Sequence, residues 1–197
     1  MNFLAHIYLS FDDKEISIGN FIADSIRGNR YLHFPEKIQQ GIILHRAIDS
    51  YTDAHPVHKK SSKRLHSNHG HYSRVIVDVF YDHFLAKNWA TYSEEDLGAF
   101  VARFYQLLKE NYEILPQPTK HLMPYMIRDN WLLNYAYMEG IDRVLKGLYR
   151  RTGKKSNMHK AVKDLQANYD LFEEEFKLFF EDLIIFSQKK FNSLINS

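Results

Sequence analysis

Apolar residues recur at helical spacing along almost the whole chain, and no stretch of useful length alternates as a half-buried strand would. This pattern restricts the fold to all-α. Ile16 to Arg27 reads as a helix closed by Gly28, since glycine takes the left-handed conformation after a helix end at little cost. Phe34-Pro35-Glu36 opens a second helix, with proline in the first turn, and this runs to about Thr52. Residues 55–72 read as a polar helix plus a loop, and Ser73 to Asn88 as a strongly apolar helix. Ser93-Glu94-Glu95-Asp96 is the capped, acidic start of a helix ending near Tyr112. Pro116-Gln117-Pro118 breaks the chain there. Residues 119–150 predict two helices divided near Gly140, and Asn157 to Phe191 predicts one long amphipathic helix after the basic loop Thr152–Ser156.

A chain of 197 residues that is 45% apolar and 15% aromatic can bury a sizeable core, so residues 1–197 are expected to form a single domain. With 26 Lys and Arg against 24 Asp and Glu, the formal charge is +2, which argues against a dedicated nucleic-acid binder. The chain holds no cysteine, so disulfides, thiolate-bound zinc and a cysteine nucleophile are all excluded. MNFLAHIYLSFDDKE lacks the basic region and cleavage site of a signal peptide, and no run reaches the roughly 20 apolar residues of a membrane span. A cytoplasmic protein without membrane association is expected.

Chemistry concentrates on two helices. Ile38, Ile42, His45, Asp49 and Thr52 share one helical stripe, and the isoleucines mark it as inward-facing. A buried His–Asp pair one turn apart reads either as a core histidine satisfied by its carboxylate or as part of a site. In IVDVFYDHFLAKNW, Asp78 and Asp82 again lie one turn apart, on a face shared with Val75, Leu85, Ala86 and Trp89. Burying two like charges is costly unless something neutralises them. Protonation or a partner arginine would do so, and a divalent cation more completely. His83 adjoins Asp82, rotated by about 100°. Asp24 follows Gly19-Asn20-Phe21-Ile22-Ala23 and reads as a surface charge paired with Arg27 or as a ligand from a third helix. Such a nitrogen and oxygen donor set suits manganese, iron, zinc or magnesium.

The stretches MNFLAHIYLS, GNFIADSIRGN, FPEKIQQGIILHRAIDSYTD and VDVFYDHFLAKNW resemble, in order and spacing, the acyl carrier protein (ACP) phosphodiesterases, or ACP hydrolases. The resemblance extends over essentially the whole chain and is most specific in residues 1–90. It implies a compact helical bundle related to the HD-domain phosphohydrolases, with the metal ligands in permuted order. It also implies manganese-dependent removal of 4′-phosphopantetheine from holo-ACP to leave apo-ACP. On this chain the family pattern points to Asp24, His45, Asp82 and His83 as ligands. Asp24, Asp49 and Asp78 are then the candidate catalytic carboxylates, the last two also as groups orienting water or a ligand. His6 lies in a family-like segment but receives no assigned role, and packing alone would account for it.

An acidic carrier protein calls for cations near the mouth of the site. Arg27 and Arg30 form one group, Lys59 to Arg64 a second, and Arg143, Lys146, Arg150, Arg151, Lys154 and Lys155 a third. His55, His58, His66, His69 and His71 read as exposed polar residues, because the segment is hydrophilic and holds no carboxylate among them. Trp89, Trp131 and the NYAYMEG segment read as core, or as the lining of an apolar groove for the pantetheine arm. Two other functions fit the same residues. One is an HD-like phosphohydrolase acting on a nucleotide or other small phosphoester, since a metal-centred site needs no glycine-rich phosphate loop. The other is a non-enzymatic helical binding module.

Overall fold

Every regular segment of the computed structural model, which describes residues 1–196, is helical. In chain order the α-helices are α1 (Phe3–Tyr8), α2 (Lys14–Ile22), α3 (Glu36–Ala54), α4 (Pro56–His69), α5 (Ser73–Lys87) and α6 (Trp89–Tyr92). They continue as α7 (Leu97–Glu110), α8 (Gln117–Arg128), α9 (Trp131–Asn134), α10 (Met138–Arg151), α11 (Ala161–Ala167) and α12 (Tyr169–Ile195). Local chemistry sets several starts. The Asp13 carboxylate accepts the backbone N–H groups of Glu15 and Ile16, and Asp96 accepts that of Ala99. No helix among the described residues is long and apolar enough to cross a membrane.

The helix boundaries depart from the periodicity in three places. α2 stops at Ile22 instead of Arg27; a 3-10 turn over Ala23–Ser25 follows, and Gly28, with φ of 56°, opens another 3-10 segment. Arg46 Nη2 holds this bend by donating to the Ile26 and Gly28 carbonyls. The region after Pro116 forms three helices, broken at Asn130 in the left-handed conformation and again before Tyr137. Gly140 lies inside α10, where a Cβ would meet the Asn134 carbonyl oxygen at 1.8 Å, so its role is close packing rather than chain breaking. The expected long carboxy-terminal helix is divided at Asn168, whose amide donates back to the Asp164 carbonyl.

The core is built around α12. Phe172, Phe176, Phe179, Phe180 and Leu183 are fully buried, packed with Tyr81 and Phe84 of α5, and each such side chain contributes about 1.5–3 kcal/mol. The α2–α3 crossing positions the site. A Cβ on Gly19 would lie 2.1 Å from the Ile38 carbonyl oxygen, and one on Gly41 would lie 2.3 Å from that of Ile16. Only a glycine pair lets these backbones touch. The contact sets Asn20 of α2 against His45, one turn beyond Gly41.

Candidate metal centre

Three elements contribute to one cluster. His6 comes from α1, Asn20 from α2, and His45 with Asp49 from consecutive turns of α3. Asn20 is fully buried and holds both imidazoles by Nδ1: His6 Nδ1 lies 2.8 Å from its side-chain Oδ1, and His45 Nδ1 lies 2.9 Å from its backbone oxygen. The two rings stack at a centroid distance of 3.9 Å. Each therefore turns its Nε2 toward the same acidic groups. His6 Nε2 is 3.2 Å from Asp49 Oδ1, while His45 Nε2 is 3.1 Å from Asp49 Oδ2 and 3.3 Å from Asp24 Oδ1. His6, His45 and Asp49 each offer a ligand atom within 4.8 Å of the others. An Nε2 lone pair facing a carboxylate is repulsive unless a proton or a cation lies between them. This donor set fits a divalent metal ion.

The charges respond accordingly. Burial opposes the imidazolium at His45, yet the Asp24 and Asp49 carboxylates outweigh it and raise the pKa to about 9. His6 is lowered to about 4 by burial and by the neighbouring His45 charge. Despite burial, the Asp49 carboxyl is held far below the usual carboxylate range by the His45 and His6 rings. Asp24 is lowered by its hydrogen bond with His45. The Met1 amino group lies 3.6 Å from Asp49 Oδ1 and 3.3 Å from Asp78 Oδ1. Although burial disfavours that charge, Asp78 and Asp49 raise its pKa to about 10. Behind Asp78, His58 Nε2 lies 3.0 Å from Oδ1.

Asp24, Asp49 and Asp78 line a cleft of about 820 Å³. Val75, expected in the core, is 42% exposed and lines the same cleft, because this face of α5 opens onto it. The α10 helix adds Arg143, Lys146, Arg150 and Arg151, and α9 with the following turn adds Trp131 and Tyr135. One cavity thus carries carboxylates, cations and aromatic surface.

The sequence pattern of the acyl carrier protein phosphodiesterase family matches residues 1–183. The chain belongs to this family. Relatives from Salmonella dublin and Salmonella paratyphi A, both named acyl carrier protein phosphodiesterase, are 32% identical over 192 residues, covering 96% of this chain and 99% of theirs. No solved structure matches the chain, so the relation to HD-domain phosphohydrolases rests on the sequence resemblance alone.

The ligand set expected from the family resemblance is only partly brought together. Asp24 and His45 meet, and Asp49 joins them directly. Asp82 and His83 lie outside the cluster. Asp82 is fully buried, and its oxygens accept the backbone N–H groups of Asn2, Leu4 and Ala5 at 3.2, 2.7 and 3.4 Å, so it fastens the start of α1. Burial pushes its pKa up to about 7, against the Met1 ammonium and those N–H groups. His83 has both nitrogens engaged, Nδ1 with the Tyr135 carbonyl at 2.7 Å and Nε2 with the Tyr169 hydroxyl at 2.8 Å. The neutralising partners expected of a cation are thus supplied for Asp82 by backbone, and for Asp78 by His58 and the amino terminus.

His6, not among the expected ligands, joins the cluster, and its family-like segment is the signal for it in the sequence. The histidine-rich stretch also differs from expectation. His66 and His71 are exposed, but His55, His58 and His69 are buried, and each reaches a carboxylate on another element: Asp182, Asp78 and Asp164. Of the cationic groups, Arg64 makes a two-pronged contact with buried Glu175, at 2.6 and 2.7 Å, and so clamps α4 to α12. Trp89 is core, its indole N–H donating to the Glu95 carbonyl.

Proposed function

We propose that the protein is a metal-dependent phosphodiesterase that removes 4′-phosphopantetheine from holo-ACP. One observation carries this reading: two imidazole Nε2 atoms and the Asp49 carboxylate converge within 4.8 Å beside a cleft that α10 lines with cations. His6, His45 and Asp49, with Asp24 against His45, would hold the cation. Manganese is the proposed ion, within a donor set that also accepts iron, zinc or magnesium. When bound, it would supply Lewis acidity to the phosphodiester and to water.

The chain's own groups do the rest. Asp78 is held ionised by the Met1 ammonium and His58, against the opposing effect of burial. It lines the cleft, where it would accept a hydrogen bond from the attacking water and orient it. Asp82 fixes α1 and thereby His6. Trp131, Val144 and Leu148 offer apolar surface to the pantetheine arm, while the α10 cations meet the acidic carrier. We extend the proposal to a single domain with HD-like chemistry from permuted ligands, working in the cytoplasm, in keeping with a cysteine-free composition. Mass measurement of holo-ACP incubated with the protein and Mn²⁺ tests the reading. The expected result is conversion to apo-ACP. Holo-ACP left intact by protein shown to contain the metal overturns it.

A further inference from the structure

We propose that Asn20 is the positioning residue of the centre: its side-chain oxygen and its backbone oxygen force a hydrogen onto Nδ1 of His6 and of His45, making Nε2 of each ring the nitrogen that faces a cation. The inference rests on the metal-centre reading but is tested separately from it.

The hydrogen-bond network admits one assignment. Asn20 Nδ2 lies 2.7 Å from the His6 carbonyl oxygen and 3.1 Å from Ser10 Oγ. A carbonyl oxygen only accepts, so the NH₂ group must face it, and the remaining amide atom is Oδ1. Ser10 Oγ spends its own hydrogen on the same His6 carbonyl, 2.9 Å away, and is left to accept from Asn20. Oδ1 only accepts, so His6 Nδ1 must donate to it. His45 Nδ1 faces the Asn20 backbone oxygen, which also only accepts. A buried amide has no protonation state of its own, so this direction of donation holds at any pH. A hydroxyl in its place would donate or accept and dictate nothing. A carboxylate would lose both donors and bury a charge. Without the amide, the His6 hydrogen would move to Nε2, drawn by Asp49 Oδ1 at 3.2 Å, and would block the ligand position.

The ring nitrogens of His6 are read by ¹⁵N–¹H correlation in metal-free protein with labelled histidine, alongside Mn²⁺ affinity. In the unsubstituted protein Nδ1 carries a hydrogen; a bare Nδ1 with a hydrogen on Nε2 overturns the proposal. In Asn20→Ala the hydrogen shifts to Nε2 and Mn²⁺ affinity falls by about 10–100-fold, the range typical of groups that orient metal ligands. A folded Asn20→Ala protein with Nδ1–H and unchanged affinity also overturns it. Ser10→Ala leaves Oδ1 in place and is expected to leave Nδ1 hydrogenated, so the assignment remains testable if Asn20→Ala does not fold. Protein with His6 Nδ1–H that binds no Mn²⁺ supports the Asn20 assignment and removes the metal reading alone.

Discussion

At the scale of single residues, the decisive contrast is between carboxylates with room for a cation and carboxylates already satisfied. Asp49 faces two imidazole nitrogens whose other ring atoms are committed to Asn20. Asp82 faces three backbone N–H groups. His45→Ala or Asp49→Ala is therefore expected to reduce turnover at least ~100-fold with the fold retained, removal of a ligand exceeding the 10–100-fold loss of a supporting group. Asp82→Ala leaves buried N–H donors unpaired, costs about 1–3 kcal/mol, and lowers the melting temperature. Turnover and thermal melts of the three variants separate the two roles; an Asp82→Ala protein that melts normally but binds no metal reverses the assignment. A proton competes with metal at His45 Nε2, whose pKa is raised to about 9 by Asp24 and Asp49 against burial. In metal-free protein this group's stabilisation is fully present below about pH 6.5 and is lost as pH rises through the folded value. Metal affinity runs the other way, rising about tenfold per pH unit between pH 7 and 8. Manganese titrations at constant ionic strength check this, and a flat profile contradicts the competition. The pairing of His45 with Asp49 was legible because one helical stripe carries both, whereas Asp24, in the 3-10 turn after α2, was pointed to by its apolar setting and the family resemblance. The partners of Asp82 are backbone groups at the start of a short helix, which leave no mark in side-chain periodicity.

Among the helices, the site depends on the α2–α3 crossing, which sets Asn20 against His45. The glycine pair that permits it is visible in the sequence only as two isolated glycines within helical patterns, and nothing local relates them. Gly41→Ala would place a Cβ 2.3 Å from the Ile16 carbonyl oxygen, so the helices must separate. Overpacking of this kind costs about 1–3 kcal/mol, and the separation draws the Asn20 oxygen away from His45. Urea denaturation is expected to show an earlier midpoint, with metal affinity reduced in the same variant; an unchanged midpoint would mean that the crossing is not tight. Helix identity was otherwise largely legible, since α3, α5 and α7 carry buried apolar positions at helical spacing and α7 adds the Asp96 cap. The misplaced breaks have a common cause. Asn130 and Asn168 interrupt the chain through local conformation and side-chain competition, while Gly140, the expected breaker, serves packing instead. The buried histidines His55, at the cap of α4, and His58 and His69, within it, escaped for another reason: their carboxylates lie up to 127 positions away, on α5, α11 and α12.

Across the whole molecule, a formal charge of +2 conceals a separation of sign within one cleft, acidic around Asp24, Asp49 and Asp78 and cationic along α10. On the proposed function, a negatively charged phosphodiester on an acidic protein would approach carboxylates that repel it, and the α10 cations would supply the compensating attraction. Arg150 and Arg151 are exposed, lie at the last turn of α10, and line the cleft without belonging to the ligand cluster. Replacing both with glutamate is expected to raise KM for holo-ACP about tenfold or more while leaving kcat within about twofold, because exposed cationic side chains steer association rather than stabilise the reacting phosphate. Exposed charges are screened beyond about 8 Å at physiological ionic strength, so the unsubstituted protein should lose kcat/KM as salt rises, and the variant should lose much less. Steady-state kinetics over a salt series distinguishes this from damage at the centre. A fall in kcat with KM unchanged would place α10 in the chemistry itself, and a salt-independent kcat/KM in the unsubstituted protein would remove it from substrate capture.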